Sequence, residues 1–339
     1  MVTLLTGFLV PLTWGGVQYS WSDWKTLAPL ILCAFGLIVF VIWEESLTHY
    51  GMGPLIRFDV IKTRTGSVSF LGTFIRKCSF HKGGQNTDKY VLDGMIVWLL
   101  LYFQPFYFEA VKNQSPILAG VSLFPITFTV APAAIVAGIV ISITGHYRWV
   151  TWCGWVLTTL GLGLLNLLNK ETSTTAWVSL SLASGVGGGM LFCSLAIAVQ
   201  ASSTEDTVTH AVILSTATRA FGQTCGVAIG GVLFQNLMKR ELQSYPLLSQ
   251  KADAYSRDAS GLVQVIKAMP AGLEKTQLLH SYMSVLRAIY ILCTSLAALA
   301  LVSSFWIESL PLNRELETKQ GFRHQEKRLD AESKTLQRS

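Results

Sequence analysis

Residues 115–141, SPILAGVSLFPITFTVAPAAIVAGIVI, contain no ionisable side chain. A helix needs about 20 consecutive apolar residues to cross a hydrocarbon core about 30 Å thick, and this run is long enough. An ordinary soluble fold has no place for it, because the rest of the chain cannot wall it off from water. The 339 residues are 51% hydrophobic and 14% charged, against about 25% charged in a typical soluble domain. Comparable apolar runs occupy 1–12, 27–44, 149–168, 176–199, 209–236 and 284–306, with one interrupted run at 66–75 plus 94–110. With lipid as solvent, each backbone N–H and C=O must be satisfied within its own segment or in a closed barrel. The runs are continuous rather than alternating, which selects helices over barrel strands. The expectation is an all-α membrane protein with about eight transmembrane helices.

The Lys and Arg residues set the expected topology. The tail from Pro311 carries Arg314, Lys319, Arg323, Lys327, Arg328, Lys334 and Arg338, which assigns it to the cytosol. Counting back, loops 45–65 (Arg57, Lys62, Arg64) and 142–148 (Arg148) also fall inside, and loops 13–26 and 169–175 fall outside. Loop 237–283 is placed outside despite its basic residues, since long loops translocate with weak regard to charge. Its stretch GLVQVIKAMPAGL reads as an amphipathic turn or two lying on the membrane surface. The net charge of +6 forms no basic face interleaved with aromatics, so no nucleic-acid partner is expected. Of six Cys, Cys33, Cys153, Cys193, Cys225 and Cys293 sit in apolar runs without metal-like spacing and read as packing residues, so no metal is expected. The opening MVTLLTGFLVPLTWGG lacks a basic n-region and a clean cleavage site, and reads as a truncated transmembrane helix.

Residues 76–93 (RKCSFHKGGQNTDKYVLD) interrupt one span with Arg76, Lys77, Lys82, Asp88, Lys89 and Asp93. Each charge costs about 2.5–3.5 kcal/mol at a bilayer centre. Two readings stand. One is a genuine loop between a re-entrant piece and a short helix. The other is a translated intron, because Arg-Lys-Cys can be encoded with a GTAAGT donor, Asn-Thr-Asp with a CTGAC branch string and Leu-Asp with a TAG acceptor. Removing it would leave a single His codon and the continuous helix FLGTFIHGMIVW.

Several strings together resemble the fungal drug:proton antiporters of the 14-helix branch of the major facilitator superfamily. They are WGGVQYSW at 14–21, GMIVWLLLYFQPFYFEAVKNQSPILAGVSLFP at 94–125, ITGHYRW at 143–149, SGVGGGMLF at 184–192 and TRAFGQTCGVAIGGVLFQN at 218–236. The resemblance covers roughly residues 1–310. It implies the second half of such a fold, incomplete at the N-terminus: linker helices over 1–44, a cytosolic loop at 45–65, a six-helix bundle over 66–306 and a cytosolic tail at 307–339. It also implies efflux of hydrophobic drugs or secondary-metabolite toxins coupled to proton antiport, in a multi-pass protein of the plasma membrane. One bundle cannot perform alternating access alone, so this chain by itself is expected to be inactive. The alternatives are a siderophore exporter of the same superfamily and a non-transporting truncated membrane protein.

Some residues stand out for that function. Arg219 lies inside an apolar span, where a charge is expensive and normally faces a cavity or a partner. Trp98, Tyr102, Gln104, Tyr107 and Glu109 bring aromatic and polar groups to the helix after the insertion, with Trp98, Tyr102 and Glu109 along one face. Together with Gln223 these are the substrate-cavity candidates, although an interfacial aromatic belt explains Tyr107 and Glu109 equally well. Gly222, Gly226 and Gly230 repeat every four residues, and Gly185, Gly187 and Gly189 cluster in another span; both sets read as close helix packing. Arg148 is a candidate cytosolic gate or a plain positive-inside anchor. Asn113-Gln-Ser115 matches a glycosylation acceptor weakened by Pro116. No phosphate-binding loop or paired catalytic set is present in the sequence, so neither an enzyme nor a cofactor is expected.

Overall fold

The computed structural model describes residues 23–49, 87–203 and 208–306, with the isolated positions 7 and 11. Expectations for most of span 1–12, loop 50–65, the apolar piece 66–75, positions 76–86 and the tail 307–339 lie outside the described residues.

Among the described residues the regular elements are all helical. Helix α1 is Trp24–His49; α2 is Thr87–Phe106 and continues into a π-helical turn, Tyr107–Val111. A short α3 (Pro116–Val121) precedes α4 (Phe124–Thr144), α5 (Tyr147–Leu165), α6 (Thr174–Ser202) and α7 (Val208–Gln243). Small helices α8 (Ala252–Tyr255) and α9 (Ala259–Ala268) then lead into α10 (Leu273–Ser304). Among the described residues, four segments are long and apolar enough to cross a bilayer: Lys89–Val111, Pro116–Thr144, Thr174–Ser202 and Leu273–Ser304.

Local chemistry sets the boundaries. Ser115 caps α3 by accepting from the Leu118 N–H at 3.3 Å, and Ser173 caps α6 by accepting from Ala176 at the same distance. The charge-free run is therefore two helices rather than one, because the chain breaks at Ser122–Leu123 and Pro125 falls in the first turn of α4, where its missing N–H costs nothing. Gly145 ends α4 with φ of 68°, a left-handed conformation that turns the chain directly into α5. At the end of α2, Pro105 cannot donate to the carbonyl four residues back. The helix widens to a π turn just after it, a common way of absorbing such a break.

Helix α6 packs between α4 and α5, α2 packs along α7, and α10 touches α2, α5 and α7. Lipid tails are as apolar as the side chains, so these contacts depend on close van der Waals fit rather than on escape from water. Small residues supply it. Gly185 and Gly189 of α6 face Ile126, Thr129, Val130 and Ala133 of α4, whereas Gly187 faces Gly154 and Thr158 of α5. Gly222, Gly226 and Gly230 of α7 lie against Val91, Met95 and Leu99 of α2. The outward side of α4 keeps Phe128, Ile135, Val136, Ile139 and Ile143 exposed, as a helix bordering lipid should.

The segment after α7 departs from the sequence expectation. The stretch read as lying on the membrane surface forms α9 and the turn after it, and Ala259, Leu262, Val263 and Ile266 are buried against the protein. Tyr282 of α10 donates to the Ala259 carbonyl at 3.2 Å, and Gln235 of α7 donates to the Arg257 carbonyl at 3.0 Å. An apolar face matching a bundle end buries as readily against protein as against lipid, and hydrogen bonds from α7 and α10 fix which one wins here.

Candidate functional site

A cleft of about 90 Å³, open on one side, lies between α2 and the α4–α6–α5 layer. Its walls are mostly apolar, including Ile96 and Leu100 of α2, Ile126 and Val130 of α4, and Leu162 of α5. Asp93, Trp155, Thr158 and Ser184 also stand among its lining residues, but almost none of the lining surface is polar. Gly188 of α6 borders it with nothing within 4 Å of where its Cβ would stand. A mostly apolar pocket is the usual form of a small-molecule site.

The charge in the cleft is paired. Arg219 Nε stands 3.0 Å from Asp93 Oδ2, with the two side chains 21% and 5% exposed. The N–H is not aligned along a hydrogen-bond axis, so the contact is an ion pair at short range. The Arg219 guanidinium also lies 4.8 Å from the centre of the Phe192 ring on α6, a cation–π contact. Gly94 makes this geometry possible: lacking a side chain, it lets the α7 backbone at Arg219 and Gln223 approach α2 one residue beyond Asp93. Pairing answers the cost of an intramembrane charge.

The other expected site residues are distributed over the bundle. Trp98 and Tyr102 are 43% and 39% exposed, on the side of α2 turned away from Asp93 and Leu100. Gln104 is fully buried, with both amide atoms unpartnered. Tyr107 is buried and donates to the Asn169 carbonyl at 2.8 Å. Glu109 lies 3.5 Å from Lys267 of α9, so the π turn carries it off the face it would share with Trp98 and Tyr102 in a straight helix. Gln223 sits half-buried at the α2–α7 crossing. Arg148 donates to the Phe305 carbonyl at 3.1 Å and stacks on Trp152 at 4.5 Å, joining the start of α5 to the end of α10. The structure thus brings Arg219 to the cleft through Asp93 and gathers Tyr107 and Glu109 at the capped end of the bundle. Sequence reasoning missed Trp155 and Thr158, for which the one available signal was their spacing three apart on an apolar helix, and it read Asp93 only as part of the insertion.

A mostly apolar cleft inside a bundle of closely packed apolar helices, four of them long enough to cross a bilayer, fits an integral, multi-pass membrane protein. Known proteins point the same way. The chain is 49% identical over 330 residues to MFS transporter L2 of Phoma sp., covering 97% of this chain and 52% of that protein. It is 29% identical to Efflux pump FUS6 of Gibberella fujikuroi, over 96% of this chain and 56% of the relative. It is 30% identical to the acurin A biosynthesis cluster MFS-type transporter of Aspergillus aculeatus, over 94% and 55%. No family model matches the chain. The chain belongs to the major facilitator superfamily and spans about half the length of the curated relatives it matches.

Proposed function

We propose that this chain supplies the second bundle of a secondary active exporter of the 14-helix branch. The exporter moves hydrophobic drugs or secondary-metabolite toxins across the plasma membrane in exchange for protons. The supporting observation is the mostly apolar cleft with the Asp93–Arg219 pair at its edge. A greasy pocket binds such molecules, and an ion pair within it holds a carboxylate that a proton can neutralise. The names of the relatives, efflux pumps among them, support the direction of transport. Trp98 and Tyr102, exposed on α2, are then available to line the cavity shared with the other half of the fold, and Arg148 would steady the cytosolic end. Alternating access needs two bundles rocking about a midplane site, so the activity is proposed for a polypeptide that carries both.

The test is transport by the complete open reading frame, with any coding sequence upstream of Met1, expressed in yeast. Everted plasma-membrane vesicles should take up rhodamine 6G when an inward-acid gradient is imposed. Arg219→Ala should slow initial uptake about tenfold, equivalent to ~1.4 kcal/mol, at unchanged protein level. Uptake that ignores both the substitution and the collapse of the gradient overturns the reading.

A further inference from the structure

Arg148 and Trp152, one turn apart at the start of α5, meet the last residues of α10. The Arg148 guanidinium lies 4.5 Å from the centre of the Trp152 ring and donates to the Phe305 carbonyl at 3.1 Å, a bond at the protein surface. Trp152 in turn donates to the Ser304 carbonyl at 2.9 Å, and its ring packs on that of Phe305 at 5.3 Å. A long, flexible cation is thus held in one place. Among the described residues no carboxylate pairs with it. Its surroundings are apolar and open. Trp149, whose ring meets that of Trp152 at 5.1 Å, is 66% exposed, and Trp306, next to Phe305 in the chain, is 72% exposed. From these two indoles an exposed apolar stripe runs along each helix, through Val156 and Leu160 on α5 and through Val302 and Leu299 on α10.

We propose that this end of the bundle binds an anionic phospholipid of the cytosolic leaflet, with the phosphate on Arg148 and the acyl chains along α5 and α10. A fixed cation without a counter-charge, set between exposed indoles where two apolar stripes end, has the charge and the shape of that occupant. A guanidinium binds phosphate through directed, charge-assisted hydrogen bonds, and indoles settle at headgroup depth. Anionic lipids are concentrated in the cytosolic leaflet, where each nearby Lys or Arg adds to the attraction. A zwitterionic headgroup offers the same phosphate but brings its own ammonium, which the unpaired guanidinium repels, so the net-negative headgroup is preferred. The inference depends neither on the cleft nor on transport.

Dioleoylphosphatidylglycerol and dioleoylphosphatidylcholine share their chains and one phosphate and differ in the ammonium. Their binding to the purified 339-residue chain can be titrated by native mass spectrometry from detergent. The wild-type chain should bind the first phosphatidylglycerol about fivefold more tightly than phosphatidylcholine, equivalent to ~1 kcal/mol. Arg148→Gln should erase that preference while phosphatidylcholine binding stays within about twofold, which also shows that the variant is folded. Arg287→Gln, which removes a charge from the other end of α10, should leave the preference intact. A wild-type chain that binds the two lipids equally, as it would if acids of residues 307–339 took the guanidinium, overturns the site. So does a preference that survives Arg148→Gln or is lost with Arg287→Gln. Displacement of phosphatidylglycerol by an excess of soluble glycerol phosphate would mean a free-phosphate site and would likewise overturn the lipid reading.

Discussion

Lys267 Nζ lies 3.5 Å from Glu109 Oε2, an ion pair that joins α9 to the π turn at the end of α2. The same ammonium donates to the Gln114 carbonyl at 2.7 Å, so one side chain ties the cap to two neighbouring segments. With side chains 21% and 14% exposed, the pair is shielded enough from water to matter.

Lys267→Met should therefore loosen the cap, because it leaves Glu109 unpaired and the Gln114 carbonyl without its donor. The expected cost is about 1–2 kcal/mol, less than for a fully buried pair. Hydrogen exchange across Ala259–Ala268 should quicken correspondingly, and adding Glu109→Gln should restore part of the protection. Exchange no different from wild type would show that apolar burial of α9 suffices.

Two exposed pairs give the cap a pH window. Lys239, 2.6 Å away, holds the Asp253 carboxyl below the ordinary value of 3.8, first through its hydrogen bond and then through its charge. That contribution is present at neutral pH and is lost as pH falls through the lowered value. The Glu274 carboxylate, bonded to Lys251 at 2.8 Å, raises the Lys251 ammonium above 10.5, with the Tyr255 charge adding to it. That contribution is present below 10.5 and is lost as pH rises through the raised value. Protection of the α8 amides, their exchange measured against the intrinsic rate at each pH, should be greatest between about pH 4 and pH 10, with the acid limb abolished by Lys239→Met and the alkaline limb by Lys251→Met. A flat profile in the wild type would mean that the pairs hold nothing.

Neighbouring glycines on α6 should respond in opposite directions. Gly188→Ala meets open space, so the gain in helix propensity of up to about 1 kcal/mol should raise the unfolding temperature. Gly189→Ala runs into the Val130 carbonyl and the Ala133 methyl and should cost about 1–3 kcal/mol. Thermal unfolding in detergent reads both, and the reverse order would mean that α4 and α6 are not seated as described.

Asp93→Asn leaves Arg219 without its counter-charge. The expected loss is about 1–3 kcal/mol, discounted from the fully buried figure because the arginine is 21% exposed. The double variant Asp93→Asn, Arg219→Gln should lose less than the sum of its parts by more than about 0.5 kcal/mol, whereas strict additivity would mean that the two residues do not interact.

The insertion at 76–93 can be decided on nucleic acid. The splice reading expects a transcript joining Ile75 to Gly94 through one His codon, which sets an imidazole where Asp93 stands and leaves Arg219 without a carboxylate. Sequencing genomic DNA and transcript across residues 70–97 tests it, and absence of a GT…AG pair at those positions ends it. Residues 87–93 are the opening turns of α2, with Lys89, Tyr90 and Asp93 buried.

Much was legible in the residues because the solvent is severe. Charge-free runs such as 115–141 have one stable solution in lipid, and the four-residue spacing of Gly222, Gly226 and Gly230 marks a face for close approach wherever its neighbour lies. The expense of Arg219 was equally plain from its place in an apolar span. Its partner was not, since Asp93 lies far away in sequence and meets it only because Gly94 lets two backbones come together.

The class of protein, its helices and its costly arginine thus follow from sequence, because hydrophobic length and charge are properties of each segment alone. Which glycine of α6 faces α4 and which faces α5, where α9 docks, how the π turn redirects Glu109, and that Trp155 and Thr158 share a cleft were decided by tertiary structure. Those are relations between segments, fixed by how helices of unequal side-chain bulk seat against one another, and no single segment contains them.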